Sequence, residues 1–249
     1  HRLDPKRTVL QCLRDDLHRT GTREGCAEGD WGAGTVALIE LDRNSEQLSV
    51  RAVNACILFL PALDGKELVT VESLVRDSGE LHPVQQAIAN THGSQCGFCT
   101  PGFVISLFAL YKTYPAPTRR GIDEVLSGNL CRCTGYLPII EAAQTMYHLP
   151  ARSDNWLDQP AGDIAGDIAR IERLKRIQRT EPLQTAQNGR RFFAPVSLAQ
   201  LVELRQAYPE ATLLAGGTDI GIWVNKQHAD LDQVIYTGRV PELLRHGVV

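Results

Sequence analysis

The sequence predicts an α+β chain built of several units. Three observations carry this: strand-like segments within the first 75 or so residues, a run of short, well-stopped helices from Pro83 to His148, and mixed strand and helix signals after Phe192. A chain of 249 residues has room for two or three domains. The expected units are residues 1–75, 76–149 and 191–249, with 150–190 as a linker.

Taken in order, Val9, Leu10, Leu13 and Leu17 fall at helical spacing behind Thr8, a residue type that caps helices. The glycine-rich stretch 21–34 follows. Thr35 to Leu41 and Gln47 to Val53 read as β-strands joined by a turn at Arg43-Asn44-Ser45. Thr100 as N-cap and Pro101 as first helical residue open a helix whose stripe is Phe103, Val104, Leu107, Phe108 and Tyr111. It ends before Pro115 and Pro117. Ile122 to Ser127 stops at Gly128, and Pro138 to Tyr147 forms a further helix, so residues 81–148 read as a four-helix bundle. The linker carries Pro150, Pro160 and Pro182 and an amphipathic segment with Ile164, Ile168, Ile171 and Leu174, expected to pack on a neighbour. In the third unit a helix is capped at Ser197, an apolar run leads into Gly216-Gly217, and Gln233 to Tyr236 is a strand.

The formal net charge is -3 and no run of like charge marks a nucleic-acid or membrane-surface footprint, so neither partner is expected. No stretch approaches the roughly 18 apolar residues of a membrane span, and no signal-peptide order opens the chain, which reads as cytoplasmic. Seven cysteines in an odd count, clustered as Cys-x-x-Cys and Cys-x-Cys, favour metal ligation in a reducing compartment over disulfides.

Cys96, Cys99, Cys131 and Cys133 present two pairs of soft thiolates at the starts of helices, where positive dipole ends favour a negatively charged group. Four thiolates suit either zinc or a 2Fe-2S cluster. Zinc sites built from four cysteines normally use a Cys-x2–4-Cys knuckle on both sides, a geometry that Cys-x-Cys fits less well. Cys26 and Cys56 fall where a plant-type ferredoxin places its first and fourth ligands, but Trp31 and Gly34 occupy the two middle positions and supply no thiolate. By their own chemistry Cys26 and Cys56 read as small buried hydrophobes, and Cys12 as core.

The segments His92 to Gly102 and Ser127 to Tyr136 resemble the two signatures of the iron-sulfur part of the molybdenum hydroxylases. Thr20 to Val36, with Val53-Asn54-Ala55-Cys56, resembles the family's ferredoxin-like β-grasp domain. Leu213, Leu214, Ala215, Gly216, Gly217, Thr218, Asp219 and Ile220 resemble its first FAD-binding loop, although a two-glycine loop taken alone is an ordinary turn. The order of units resembles that of the xanthine dehydrogenases in their bacterial, multisubunit form; aldehyde oxidases share it, whereas carbon-monoxide-dehydrogenase-like relatives carry FAD on another chain.

The resemblance implies a 2Fe-2S cluster on Cys96, Cys99, Cys131 and Cys133, a second at Cys26 and Cys56, and FAD at residues 213–220. It also implies a molybdopterin-binding large subunit as partner, assembled as a heterotetramer of two small and two large subunits, with NAD as electron acceptor and no catalytic residue on this chain. Gln95 and Cys133 match positions close to the pterin. The first strand of the ferredoxin-like unit is expected before His1, and the rest of the FAD unit after Val249. Trp31 and Gly34 stand where the family has cysteine, each one base change from a cysteine codon, while Gly25, Glu28, Gly29, Gly32 and Ala33 keep the cluster-loop pattern. Two other readings are a zinc-stabilised binding module without catalysis and a one-cluster assembly scaffold.

Overall fold

The computed structural model describes residues 4–42, 47–151, 155–161 and 168–244; the expected turn at Arg43-Asn44-Ser45 and the stripe residue Ile164 lie outside them. Thr8 caps the first helix in a reciprocal box: its hydroxyl accepts from the Gln11 amide at 3.2 Å, and the Gln11 side chain accepts from the Thr8 amide at 3.0 Å. Helix α1 (Val9–Gln11) then widens into a π turn over Cys12–Asp16, so the expected single α-helix is irregular.

Strand β1 (Thr35–Leu41) pairs antiparallel with β2 (Leu48–Asn54) and β3 (Glu67–Val69) in the order β2-β1-β3. Successive side chains of a strand point to opposite faces. Val36 meets Val9, Leu10 and Leu13 on one face, while Ala37 and Ile39 face the helices on the other, so β1 is buried on both sides.

Helices α2 (Pro83–Asn90), α3 (Thr100–Thr113), α4 (Arg119–Leu126) and α5 (Leu137–Thr145) close around Phe103, Leu107, Phe108, Tyr111, Ile122 and Ile139. The sheet shares this core through Ala37, Ile39 and Val69. The N-cap of α3 is Cys99 and not Thr100, with Pro101 one position later than expected: the Cys99 carbonyl accepts from the Phe103 amide at 3.2 Å, while the Thr100 hydroxyl turns away to donate to Ser94 at 2.7 Å.

Within residues 150–190, expected as linker, helix α6 (Ile168–Ile177) lays Leu174 in the core and pairs Arg170 with Glu67 at 3.3 Å. Ile168 is exposed, so the apolar stripe is narrower than the pattern suggested. Strand β4 (Leu183–Gln187) also falls within 150–190 and is a correction to the linker reading. It forms a hairpin with β5 (Arg190–Ala194) across Asn188-Gly189, both at positive φ as a tight hairpin turn requires. Helix α7 (Leu198–Ala207) starts at its Ser197 cap. Strand β6 (Thr212–Leu214), helix α8 (Ile220–Gln227) and strand β7 (Gln233–Tyr236) complete a sheet of order β4-β5-β7-β6, in which β7 runs parallel to both neighbours.

Candidate metal centre

Cys96 and Cys99 lie on the loop between α2 and α3, and Cys131 and Cys133 on the loop between α4 and α5. Packing of α3 against α4 and of α2 against α5 brings the two loops together. The thiols act on one another chiefly in pairs, Cys96 with Cys133 and Cys99 with Cys131. Among the described residues no three His, Cys, Asp or Glu side chains converge as a single ion would need. A two-by-two arrangement suits a binuclear cluster, in which each iron takes two thiolates.

The loops are shaped toward sulfur. Gly97 and Gly135 have φ of +79° and +69°, and Tyr136 holds a strained +68°. Cys131 Sγ lies 3.1 Å from the Thr134 hydroxyl and accepts from the Thr134 amide at 3.4 Å, while the Cys131 amide donates to the Tyr136 hydroxyl at 3.0 Å. Burial raises Cys131, but these donors outweigh it and hold the thiol below its ordinary value. Burial, and donation to Cys131, push Cys99 up to about 12. The Phe98 amide lowers Cys96, and donation to Cys96 raises Cys133.

The centre is less enclosed than a buried cluster would be. Cys131 is buried and Cys99 half-buried, but Cys96 and Cys133 are exposed, and Phe98, Leu130 and Leu137 beside them are exposed apolar side chains. Gln95 is exposed on the same loop.

Cys26 and Cys56 are both buried; burial first, then the neighbouring Cys26, pushes Cys56 up to about 11. Cys26 Sγ accepts from the Asp30 and Trp31 amides at 3.3 and 3.4 Å, a loop wrapped around sulfur. Trp31 points its ring over Gly25 and is 46% exposed, and a Cβ at Gly34 would lie 3.2 Å from the Arg23 carbonyl. Two thiols cannot supply four ligands, so the residues of this loop do not fit a 2Fe-2S cluster. Cys12, expected in the core, is half-buried.

The loop between β6 and α8 leaves Leu213, Ala215, Gly216, Thr218 and Asp219 exposed, with Leu214 and Gly217 buried and Ile220 between. A Cβ at Gly216 would meet nothing within 4 Å, so the backbone there is open to a ligand, which fits a loop that cradles phosphates. Gly217 has a different task. At φ +95° it packs on the Ile57 carbonyl, where a Cβ would come within 2.9 Å, and Gly221 also abuts Ile57. Asn225 of α8 donates to the carbonyls of Ala27 and Cys56 at 2.8 and 2.7 Å, seating α8 on the Cys26/Cys56 loop. The residue pattern gave no sign of Asn225, because nothing local distinguishes it from a solvated polar residue.

Paired thiols in a helical unit and an open glycine loop on a second sheet are the two features that comparison with known proteins bears on. Residues 70–144 match the model of a [2Fe-2S] binding domain, and residues 185–246 that of the FAD binding domain in molybdopterin dehydrogenase. Xanthine dehydrogenase of Drosophila pseudoobscura pseudoobscura is 35% identical over 97% of this chain and 20% of its own length, and aldehyde oxidase 2 of Mus musculus is 34% identical over the same shares. Among solved structures, quinoline 2-oxidoreductase from Pseudomonas putida 86 is 29% identical, with a TM-score of 0.50 over 70% of this chain and 87% of that one. Aldehyde oxidoreductase from Desulfovibrio gigas gives 0.52 at 29% identity over 61% and 17%. The chain belongs to the molybdenum hydroxylase family and carries its 2Fe-2S and FAD domains. It spans about a fifth of the length of the curated relatives it matches. Among the described residues no helix is long and apolar enough to cross a membrane.

Proposed function

We propose that this chain is the electron-transfer part of a xanthine dehydrogenase of the bacterial, multisubunit kind. The paired thiols of Cys96, Cys99, Cys131 and Cys133 carry the reading. They would hold a 2Fe-2S cluster, which would supply one-electron transfer, and the loop Leu213–Ile220 would hold FAD, which would collect electrons in pairs for hydride transfer to NAD.

What the chain itself contributes is ligation and tuning. Thr134 donates to Cys131 Sγ and the Phe98 amide to Cys96, and hydrogen bonds to ligating sulfur raise a cluster's potential. The exposed edge at Cys96 and Cys133, rimmed by Phe98, Leu130 and Leu137, suits cover by a molybdopterin-binding large subunit. We expect a cytoplasmic heterotetramer of two small and two large subunits. No step is routed through Cys26 and Cys56, whose loop lacks the ligands.

Aldehyde oxidation is the second reading, because aldehyde oxidases match at nearly the same identity as xanthine dehydrogenases. The test is to purify the chain with its native partners and assay substrate-dependent NAD reduction. Turnover of xanthine supports the proposal, turnover of aldehydes alone favours the second reading, and a colourless zinc protein defeats both.

A further inference from the structure

The first turn of α3, which follows Cys99, the loop 31–34 of the first sheet domain and the loop that leads into Cys131 meet at one buried point. Asn129 is at its centre, 3% exposed and fully engaged. Its Oδ1 accepts from the Ser106 hydroxyl at 2.6 Å, and its Nδ2 donates to the Gly32 carbonyl at 3.2 Å, with Thr35 Oγ1 at 3.5 Å. The next amide, Leu130, donates to the Trp31 carbonyl at 3.1 Å. Two consecutive residues just before Cys131 are thereby fixed to two consecutive residues of the other domain.

The junction leaves no slack. A Cβ at Gly102 would sit 2.0 Å from the Gly32 carbonyl oxygen, and one at Gly32 (φ +67°) would sit 2.3 Å from the Gly128 carbonyl and 2.4 Å from Asn129 Nδ2. Glycine at both sites lets the three segments touch, and the Asn129 amide satisfies the polar atoms trapped there.

We infer that Asn129 is a positioning residue for the cluster of Cys96, Cys99, Cys131 and Cys133: it sets where Cys131 stands relative to Cys99 and makes that position depend on the Trp31–Gly34 loop. Ser106 fixes which way the amide points. An aspartate would be of the same size but would turn an acceptor toward the Gly32 carbonyl, which is itself an acceptor.

The inference rests on the cluster assigned under the proposed function, and the experiment separates the two. The full chain, purified with its cluster, is compared with Asn129→Asp and Ser106→Ala by EPR of the dithionite-reduced protein and by redox titration. A parent without an iron-sulfur signal would defeat the proposed function itself. With the signal present, both variants are expected to shift the g-values and the midpoint potential, Asn129→Asp more than Ser106→Ala. Variants that are less thermally stable but keep the parent's signal and potential would overturn the inference and leave Asn129 a purely structural residue. Should Asn129→Asp fail to fold, Ser106→Ala decides alone by the same readings.

Discussion

His82 should make the protein acid-labile by a calculable amount. The ring is fully buried at the start of α2, the helix that runs into the Cys96 loop, between the edges of Phe108 and Tyr111. Nδ1 accepts from the Val84 amide at 3.1 Å, so the hydrogen-bond pattern assigns the proton to Nε2, which donates to the Leu157 carbonyl at 2.8 Å. Burial, only partly offset by the Leu157 carbonyl and Asp158, lowers the histidine from 6.5 to about 4. The unfolded chain takes up the proton first as pH falls, so stability is complete above about pH 6.5, declines below it and levels off near pH 4. At about 1.4 kcal/mol per tenfold in proton affinity, the full loss is about 3.5 kcal/mol, and about 2.5 kcal/mol of it is lost by pH 4.5. His82→Asn keeps an acceptor for the Val84 amide but does not titrate. Urea unfolding of both proteins at pH 7.5 and 4.5 isolates the effect, since all other titrating groups are common to the pair. Wild type should lose about 2.5 kcal/mol more than the variant across that interval. Equal losses would refute the buried neutral imidazole.

Three further perturbations test the junctions around the centre. Gly102→Ala should destabilise by about 1–3 kcal/mol, the range for an overpacked site, and should lower the cluster content of the purified protein, read from its visible absorbance. Trp31→Cys combined with Gly34→Cys should roughly double iron and sulfide per chain and add a second EPR signal, because the loop amides already point at Cys26 and the Cβ at Gly34 needs only a slight shift of the Arg23 carbonyl. Asn225→Ala removes two hydrogen bonds at about 1 kcal/mol each, and hydrogen exchange should quicken at residues 26–31 and 56 while α3 is unchanged.

Much of this was legible in the sequence because it is locally encoded. The Thr8 and Ser197 caps, strand β1 and the stops of the bundle helices follow from residues that choose their conformation within a turn or two. The cysteine spacing likewise marked the two loops that the helices bring together. What the sequence concealed depends on distant partners. Strand β4 reads Leu-Gln-Thr-Ala-Gln, an edge strand without an apolar pattern, and declares itself only through β5. Gly217 looked like part of a phosphate loop, yet its positive φ serves the contact with Ile57. Asn129 and Asn225 are single polar residues whose roles arise when three segments meet. The exposure of Cys96 and Cys133 depends on how two loops close, which no spacing records.

A single 2Fe-2S cluster on Cys96, Cys99, Cys131 and Cys133 can be read from iron and acid-labile sulfide per chain beside the low-temperature EPR of the reduced protein. Iron and sulfide should be equal and sufficient for a single cluster, with one rhombic signal that Cys131→Ser abolishes. Zinc without sulfide, or an iron-sulfur signal that survives Cys131→Ser unchanged, would contradict it.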